Sequence, residues 1–249
     1  MLLNLKRLSE KYQLQVREIG YVGANLGQEI PELNVLFNNP TIHLFEPQKN
    51  VFKKLKCNFN DLDNLVFYNF ALGSKTTFEE ININTNNSNQ SSSILKPKKH
   101  NYYHPDILFE GKEKIKVQKF SDLNLNNINF LSIDVQGYEL EVLKGCENKL
   151  SNIEYILCEV SRKELFENCA LINDIDKYLK HFDFLRVKTV WWEKTIPWGD
   201  ALYIKKNQLN FIQIISSNIN LLIQRFRGYF FIISIPKKIL NFLKRNINK

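Results

Sequence analysis

The stretch Glu18–Glu29, EIGYVGANLGQE, decides the fold. A short apolar run from Val16 to Val22 breaks into Gly-Ala-Asn-Leu-Gly. A helical pattern then begins near Gln28, with Pro31 in the first turn, where its missing N–H costs nothing. In such a strand–turn–helix unit Gly23 lets the chain turn sharply, Gly27 lets a ligand approach the backbone, and the new helix offers free N–H groups to something polar or anionic. Two glycines are equally compatible with a turn that binds nothing. Glu46 separates the two readings: it closes the next strand, HLFEP, about 20 residues downstream, where an acid takes ribose hydroxyls in nucleoside-binding sheets.

Outward from that unit the periods alternate. An amphipathic helix (Leu2, Leu5, Leu8, Tyr12) precedes it, and TIHLFEP reads as a second strand closed by Pro47. A helix with Val51, Phe52, Leu55 and Phe59 on one face follows, and then the strand LVFYNFAL. The segment NINTNNSNQSSSILKPKKHNYYHPD is too polar to pack and reads as a loop or lid. After it come KIKVQKF, the apolar strand INFLSIDV, a helix over Tyr138–Lys144 stopped by Gly145, the strand EYILCEV, a helix around Ile172–Lys180, and a closing pair, FLRVKTVWW and DALYIKK. Several strands are apolar throughout and alternate with helices, so the expected fold is α/β and doubly wound, a mostly parallel sheet covered on both faces.

Charge is distributed unevenly along the 249 residues. Nine of the 34 Lys and Arg fall from Lys205 to Lys249 with no acid among them, leaving 25 basic and 26 acidic residues elsewhere. A neutral body argues against nucleic acid, and a basic, apolar tail points to a membrane surface or an acidic partner. In that tail Ile212, Ile215, Ile219, Leu222, Ile223 and Phe226 recur at helical spacing, and YFFIISI runs up to Pro236. Neither run reaches the roughly 20 apolar residues that span a bilayer. The helix either lies on a membrane or packs on the domain or on a second subunit. Cys57, Cys146, Cys158 and Cys169 show no metal spacing and read as reduced thiols, with Cys158 buried; the charged N-terminus lacks the apolar core of a signal peptide, so a cytoplasmic protein is expected, with peripheral membrane contact through the tail.

Neither a full GxGxxG nor a GK[ST] loop is present, so no pyrophosphate is obviously cradled. S-adenosylmethionine (SAM) needs only a glycine turn for its amino-acid end and an acid for its ribose, and a terminal antiparallel pair suits the sheet of a SAM methyltransferase. VGANLGQE, HLFEP, NFALG, SSSIL, INFLSIDVQGYELEVLKG, ILCEV and WGDALYI resemble, in order and spacing, the FkbM-type methyltransferases, whose pattern runs DVGAN.G, FEP, ALG, a Ser-rich stretch, LKIDVEG.E..VL.G and a GDALF-like strand. The resemblance covers about Val16 to Lys206, which sets a domain of residues 1–206 and a helical tail of 207–249. It implies a Rossmann-like class I SAM-dependent fold with a seven-stranded sheet and an antiparallel last strand, and O-methyl transfer to a sugar, a glycan or a related small molecule. Its cofactor positions are Gly23, Ala24, Asn25, Gly27, Gln28, Glu46, Pro47, Ala71 and Asp134. Three residues depart from the pattern: Tyr21 stands in place of Asp, Ser132 of Lys, and Gln136 of Glu. The departures leave open a SAM fold that has lost catalysis, or one that binds RNA through its tail.

Methyl transfer to an alcohol needs alignment and removal of a proton. Asp134, at a strand end, is the candidate catalytic contact. Glu139 is either a base or anchor, or a first-turn carboxylate favoured by the helix dipole. His100, Tyr102, Tyr103 and His104 either cover an acceptor sugar or are solvated, and the composition favours solvation. Ser91, Ser92 and Ser93 match the family's serine stretch. Trp191 and Trp192, adjacent on a strand, face opposite sides, and Asp200 after PWG reads as a turn residue. The four His show no metal-ligand spacing, so no metal is expected.

Overall fold

The computed structural model describes residues 3–86, 89–192 and 196–226. The chain opens with α1 (Leu5–Tyr12), whose first turn is closed by the Asn4 side chain accepting from the Arg7 N–H and whose buried face is Leu5, Leu8 and Tyr12. Then come β1 (Glu18–Val22), α2 (Ile30–Phe37), β2 (Thr41–Phe45), α3 (Lys49–Asn58) and β3 (Leu65–Tyr68). Next are β4 (Ala71–Leu72), β5 (Thr77–Asn84), the short α4 (His100–Tyr103) and β6 (Phe109–Gln118). β7 (Ile128–Ile133), α5 (Glu139–Cys146), β8 (Tyr155–Ser161), α6 (Ile172–Lys180), β9 (Phe184–Trp191), β10 (Trp198–Lys205) and α7 (Phe211–Phe226) complete the order.

Seven strands form one sheet in the order β3-β2-β1-β7-β8-β10-β9. Only β10 runs against its neighbours, so the sheet is the mostly parallel one that the sequence implies, with the last strand inserted antiparallel. One apolar layer joins α1, α2, Leu55 of α3 and Leu209 to one face; the other joins α5 and α6 to the opposite face. All six residues of β7 are buried, as a central parallel strand covered on both faces must be. Each fully buried Leu, Ile or Phe there contributes about 1.5–3 kcal/mol.

Four readings are corrected by the structure. LVFYNFAL is two strands: the Asn69 side chain donates to the carbonyls of Glu46 at 2.9 Å and Pro47 at 3.1 Å, and the chain leaves β3 there to pair β4 with β6. β4, β6 and β5 make a separate three-stranded sheet, which no period in the sequence announced. Gly145 does not stop α5, which runs on to Cys146; a Cβ at Gly145 would lie 1.9 Å from the Gly73 carbonyl oxygen, so the glycine permits a close helix-to-strand approach. Asp200 is not in a turn but lies within β10, directly opposite Glu159 of β8.

The three buried cysteines, Cys146, Cys158 and Cys169, and the exposed Cys57 are all free. The tail begins as part of the same body. α7 packs on β9, with Ile214 and Leu221 against the first apolar layer, and the Gln213 side chain donates to the Lys11 carbonyl. Packing thus continues past residues 206/207, as far as Leu221. YFFIISI and Pro236 lie outside the described residues. Among the described residues no helix is long and apolar enough to cross a membrane.

Candidate active site

The carboxyl ends of β1, β2, β7, β8 and the amino end of β10 meet along one edge of the sheet. Gly23 adopts φ +81°, and a Cβ on it would lie 1.9 Å from the Asp134 carbonyl oxygen. Only glycine lets the ends of β1 and β7 run so close, with the Asp134 N–H donating to the Val22 carbonyl at 3.0 Å. The N–H groups of Gly23 and Ala24 both donate to the Phe45 carbonyl at 3.0 Å, which fixes the turn to β2. Gly27, also at positive φ, serves packing: the space a Cβ would need is filled by Phe59, Ile30 and Leu55. Its absent side chain makes room for the core.

Glu46 is 3% exposed. One carboxylate oxygen accepts from the Asn25 N–H at 3.0 Å and the other from the Gln48 N–H at 2.8 Å. Desolvation pushes its pKa up to about 7 against those two hydrogen bonds, which favour the charged form. Glu46, Pro47 and Ala71 line a small cavity of about 60 Å³. It adjoins a much larger one of about 730 Å³, in whose wall Gln28 stands. Gly23, Asn25, Gln90, Asp134 and Gln136 belong to both walls. Of the cofactor positions, Ala24 and Gly27 line neither cavity.

Asp134, Glu139 and Glu159 offer carboxylate oxygens that lie within 4.8 Å of one another. Gln136 holds them: at φ +55°, its side-chain amide donates to Asp134 at 2.8 Å and to Glu159 at 2.9 Å. One oxygen of Glu139 accepts from the Gly137 N–H at 2.9 Å and the Val135 N–H at 3.2 Å, so this side chain staples the loop that carries Asp134. Asp134 is exposed where it opens onto the cavity. Desolvation first, and then the Asp200 charge, push its pKa up to about 6 against the Gln136 hydrogen bond. Desolvation likewise pushes Glu139 up to about 7. Glu159 rises well above the usual range, through desolvation and then the Asp134 charge. Each carboxylate of such a crowd disfavours the charged form of its neighbours.

The three departures become two coupled changes. Tyr21 and Ser132 are direct neighbours across β1 and β7, so the Asp and Lys of the family pattern would stand side by side; here both charges are gone together. Gln136 supplies a donor between two acids where a Glu would add another. The amide occupies the bridging place that a cation would take in a carboxylate cluster, and among the described residues this is the one cluster of that kind.

The loop over the cavity is ordered by its serines. The Ser93 hydroxyl donates to the Gln136 carbonyl at 2.7 Å, the Ser92 hydroxyl accepts from the Asn84 N–H at 3.0 Å, and Ser91 lines the large cavity. His100, expected to be solvated, is 4% exposed, and with His104 it forms part of that cavity's wall. Tyr102 alone matches the solvated reading fully, at 81% exposed. Trp191 lies under the Arg162 guanidinium at 3.8 Å, while Trp192 and Trp198 line the cavity. The sequence missed Glu159 and Trp198 as site residues. Glu159 carried the same signal as Asp134, an acid at the carboxyl end of an apolar strand.

A family model described as the methyltransferase FkbM domain matches residues 22–186. The chain belongs to the FkbM methyltransferase family. The FkbM domain is 22% identical over 173 residues to the 2-O-methyltransferase NoeI of Sinorhizobium fredii (strain NBRC 101917 / NGR234), a match covering 66% of this chain and 71% of that protein. Among solved structures, an FkbM methyltransferase from Methylobacillus flagellatus KT superposes with a TM-score of 0.51 at 14% identity, over 76% of this chain and 44% of the other. Sp1610 of Streptococcus pneumoniae, a proposed tRNA (m1A22) methyltransferase, gives 0.50 at 12% identity, over 100% and 97%. At these identities the superpositions show the fold, that of the class I SAM-dependent methyltransferases, and the cofactor is SAM. The residues fit it: a glycine turn with a buried acid on one side, and a cleft whose carboxylates suit a sulfonium and an ammonium group.

Proposed function

We propose that this FkbM domain transfers a methyl group to a hydroxyl of a sugar, a glycan or a related small molecule. The observation that carries the reading is Asp134: a carboxylate on the cavity wall, at the end of β7, with a pKa raised to about 6. Bound SAM supplies a methyl carbon on a positively charged sulfur; transfer forms a C–O bond, breaks the C–S bond and releases the hydroxyl proton. Asp134 accepts that proton, and Gln136 keeps it and Glu159 at a fixed separation. Glu139 holds the Asp134 loop through its backbone bonds and shares the proton of the cluster. Gly23, Asn25 and Glu46 hold the cofactor, Glu46 through the ribose. NoeI, a 2-O-methyltransferase, supports an oxygen acceptor.

Asp134→Asn tests this. It keeps the size and the hydrogen bond from Gln136 and removes proton acceptance, so transfer from labelled SAM at saturating SAM falls about 10²-fold or more while melting changes little. Undiminished turnover would place the base elsewhere.

A peripheral membrane contact of a cytoplasmic protein is part of the same proposal. Phe211, Ile212, Ile215 and Leu222 stay 43–75% exposed on the side of α7 that does not pack, in a tail without acids. Each basic residue near an anionic surface contributes about 1 kcal/mol. The intact protein sediments with anionic and not with neutral vesicles, and Ile212→Glu with Ile215→Glu abolishes this; sedimentation that ignores both changes excludes the contact.

A further inference from the structure

Trp192 lines the large cavity and is 55% exposed at its mouth. Its N–H donates to the Trp198 carbonyl at 3.1 Å, and the Trp198 ring lies 4.7 Å from His104, centre to centre. His104 closes the short helix that carries Tyr102, 81% exposed. On the same loop Ile107 lines the cavity, and Leu108 beside it is 47% exposed. An indole, a phenol and a leucine thus stand in water around one opening. Large apolar groups scattered singly over a surface need no explanation, but a set of them gathered at a cleft marks a place that meets something apolar. The side chains around them are charged. Lys96, Lys98 and Lys99, all exposed, fall in a stretch, Lys96–His104, that holds no acid. The N–H groups of Lys98 and His100 donate to the Leu165 carbonyl at 2.8 and 3.0 Å, and the Glu167 N–H donates to the Lys96 carbonyl at 2.8 Å. That pairing brings up Arg162, stacked 3.8 Å from the centre of Trp191, and Lys163, which donates to the Tyr103 hydroxyl at 2.9 Å. Glu164 meets Lys98 at 2.5 Å. Residues 96–110 and 161–169 together hold these five cations and four acids, Asp106, Glu110, Glu164 and Glu167, so the rim is weakly basic.

We propose that the mouth of the large cavity docks on an anionic lipid surface, with Trp192, Tyr102 and Leu108 in the headgroup layer and the basic side chains of both loops at its phosphates. Trp and Tyr settle at that depth because each has an apolar body and a polar tip. A lysine lays its stem along the apolar layer and keeps its ammonium among the headgroups. The charge that draws the protein to such a surface is chiefly that of the tail, nine Lys and Arg from Lys205 to Lys249 with no acid; the rim adds to it and supplies the apolar contact. The same cations would serve a nucleic acid, but affinity there is carried by phosphate contacts, and a rim of nearly balanced charge with an exposed leucine fits lipid better. The inference rests on the membrane contact argued above and goes beyond it: contact through α7 alone sets no direction for the cleft, whereas docking of the mouth turns the cleft toward the headgroup layer.

The three tryptophans of the chain are Trp191, Trp192 and Trp198. Two line the cavity and the third ends β9 at the same edge, opposite Gly199, so tryptophan fluorescence reports on the mouth. The full chain is mixed with vesicles of phosphatidylcholine alone or with added phosphatidylglycerol, each with and without bromine on the upper part of the acyl chains, which quenches indoles that lie close to it. Sedimentation, a melting curve and calorimetry of SAM binding run alongside. The expected result is quenching by brominated anionic vesicles and not by neutral ones, most of it lost in Trp192→Phe. Tyr102→Glu with Lys99→Glu lowers affinity for the anionic vesicles about tenfold or more. Melting and SAM binding stay unchanged, since both side chains are exposed and neither belongs to the cavity wall. Sedimentation with anionic vesicles without quenching leaves the α7 contact standing and overturns the docking of the mouth. No sedimentation overturns both. Quenching undiminished in Trp192→Phe, or affinity undiminished in the double variant, places the contact elsewhere and overturns the docking as well. A dimer in solution that the double variant dissociates puts a second copy on the rim, with the same consequence. Failure of SAM to bind bears instead on the methyltransferase reading and leaves the fluorescence result to stand by itself.

Discussion

The two ends of the cleft are made in different ways. At the cofactor end, Gly23, Asn25 and Glu46 come from two successive strands, and their contacts close within a span of 21 residues: the Asn25 N–H donates to Glu46. At the acceptor end, Asp134, Glu159, Asp200, His100 and Trp198 come from β7, β8, β10 and the loop before β6. The first closes between successive strands. The second exists only once the sheet order places β7 beside β8 and β8 beside β10. On the proposed reading function divides along the same line, with the constant partner held by local structure and the variable one by long-range structure.

The comparison can be broken at the junction of the two ends, where β1 meets β7. Ser132→Lys alone buries an ammonium beside Tyr21 and removes about 3 kcal/mol of stability or more, read as a melting temperature lower by roughly 6–12 °C. Tyr21→Asp added to it returns about 1–3 kcal/mol if the two positions act as one pair. Additive losses would show that the departures are independent and that the pairing across the strands carries nothing.

A smaller effect sharpens the cofactor end. Glu46→Gln keeps one acceptor for a backbone N–H and sets an amide against the other, so both the turn and the ribose contact suffer. SAM affinity falls about tenfold or more, the loss of a charge-assisted hydrogen bond of about 1.5–3 kcal/mol. If calorimetry finds the affinity unaltered, Glu46 is a structural tie between the turn and β2 and nothing else.

The smallest effect is at the acceptor end. An acid whose pKa is raised to about 6 accepts protons only above that value, so kcat/KM rises with pH through about 6 and is level above it. Gln136→Glu removes a donor that favours the charged form of Asp134 and adds a like charge. The limb should move to higher pH by about one unit, equivalent to about 1.4 kcal/mol. A shift to lower pH, or none, would mean that Gln136 does not set the charge state of Asp134.

The alternation of apolar strands with amphipathic helices, the glycine turn and Glu46 were legible in the chain because each depends on neighbours at fixed short spacing: burial on both faces of β7, a positive φ at Gly23, an acid at the next strand end. Asp134 was legible for the same reason. Glu159 and Asp200 became a pair only through the antiparallel insertion of β10, and a sequence states no register between strands 40 residues apart. The segment around His100 read as solvated because its composition is polar; its backbone hydrogen bonds to Leu165 bury it all the same, since a polar side chain can be buried wherever packing excludes water around it. Sequence alone determined the seven-stranded sheet, its covering helices and the glycine turn with Glu46 beside it. Tertiary structure decided which acids lie together and which aromatic side chains line the same cavity, because those contacts are set by strand order and loop path rather than by spacing along the chain.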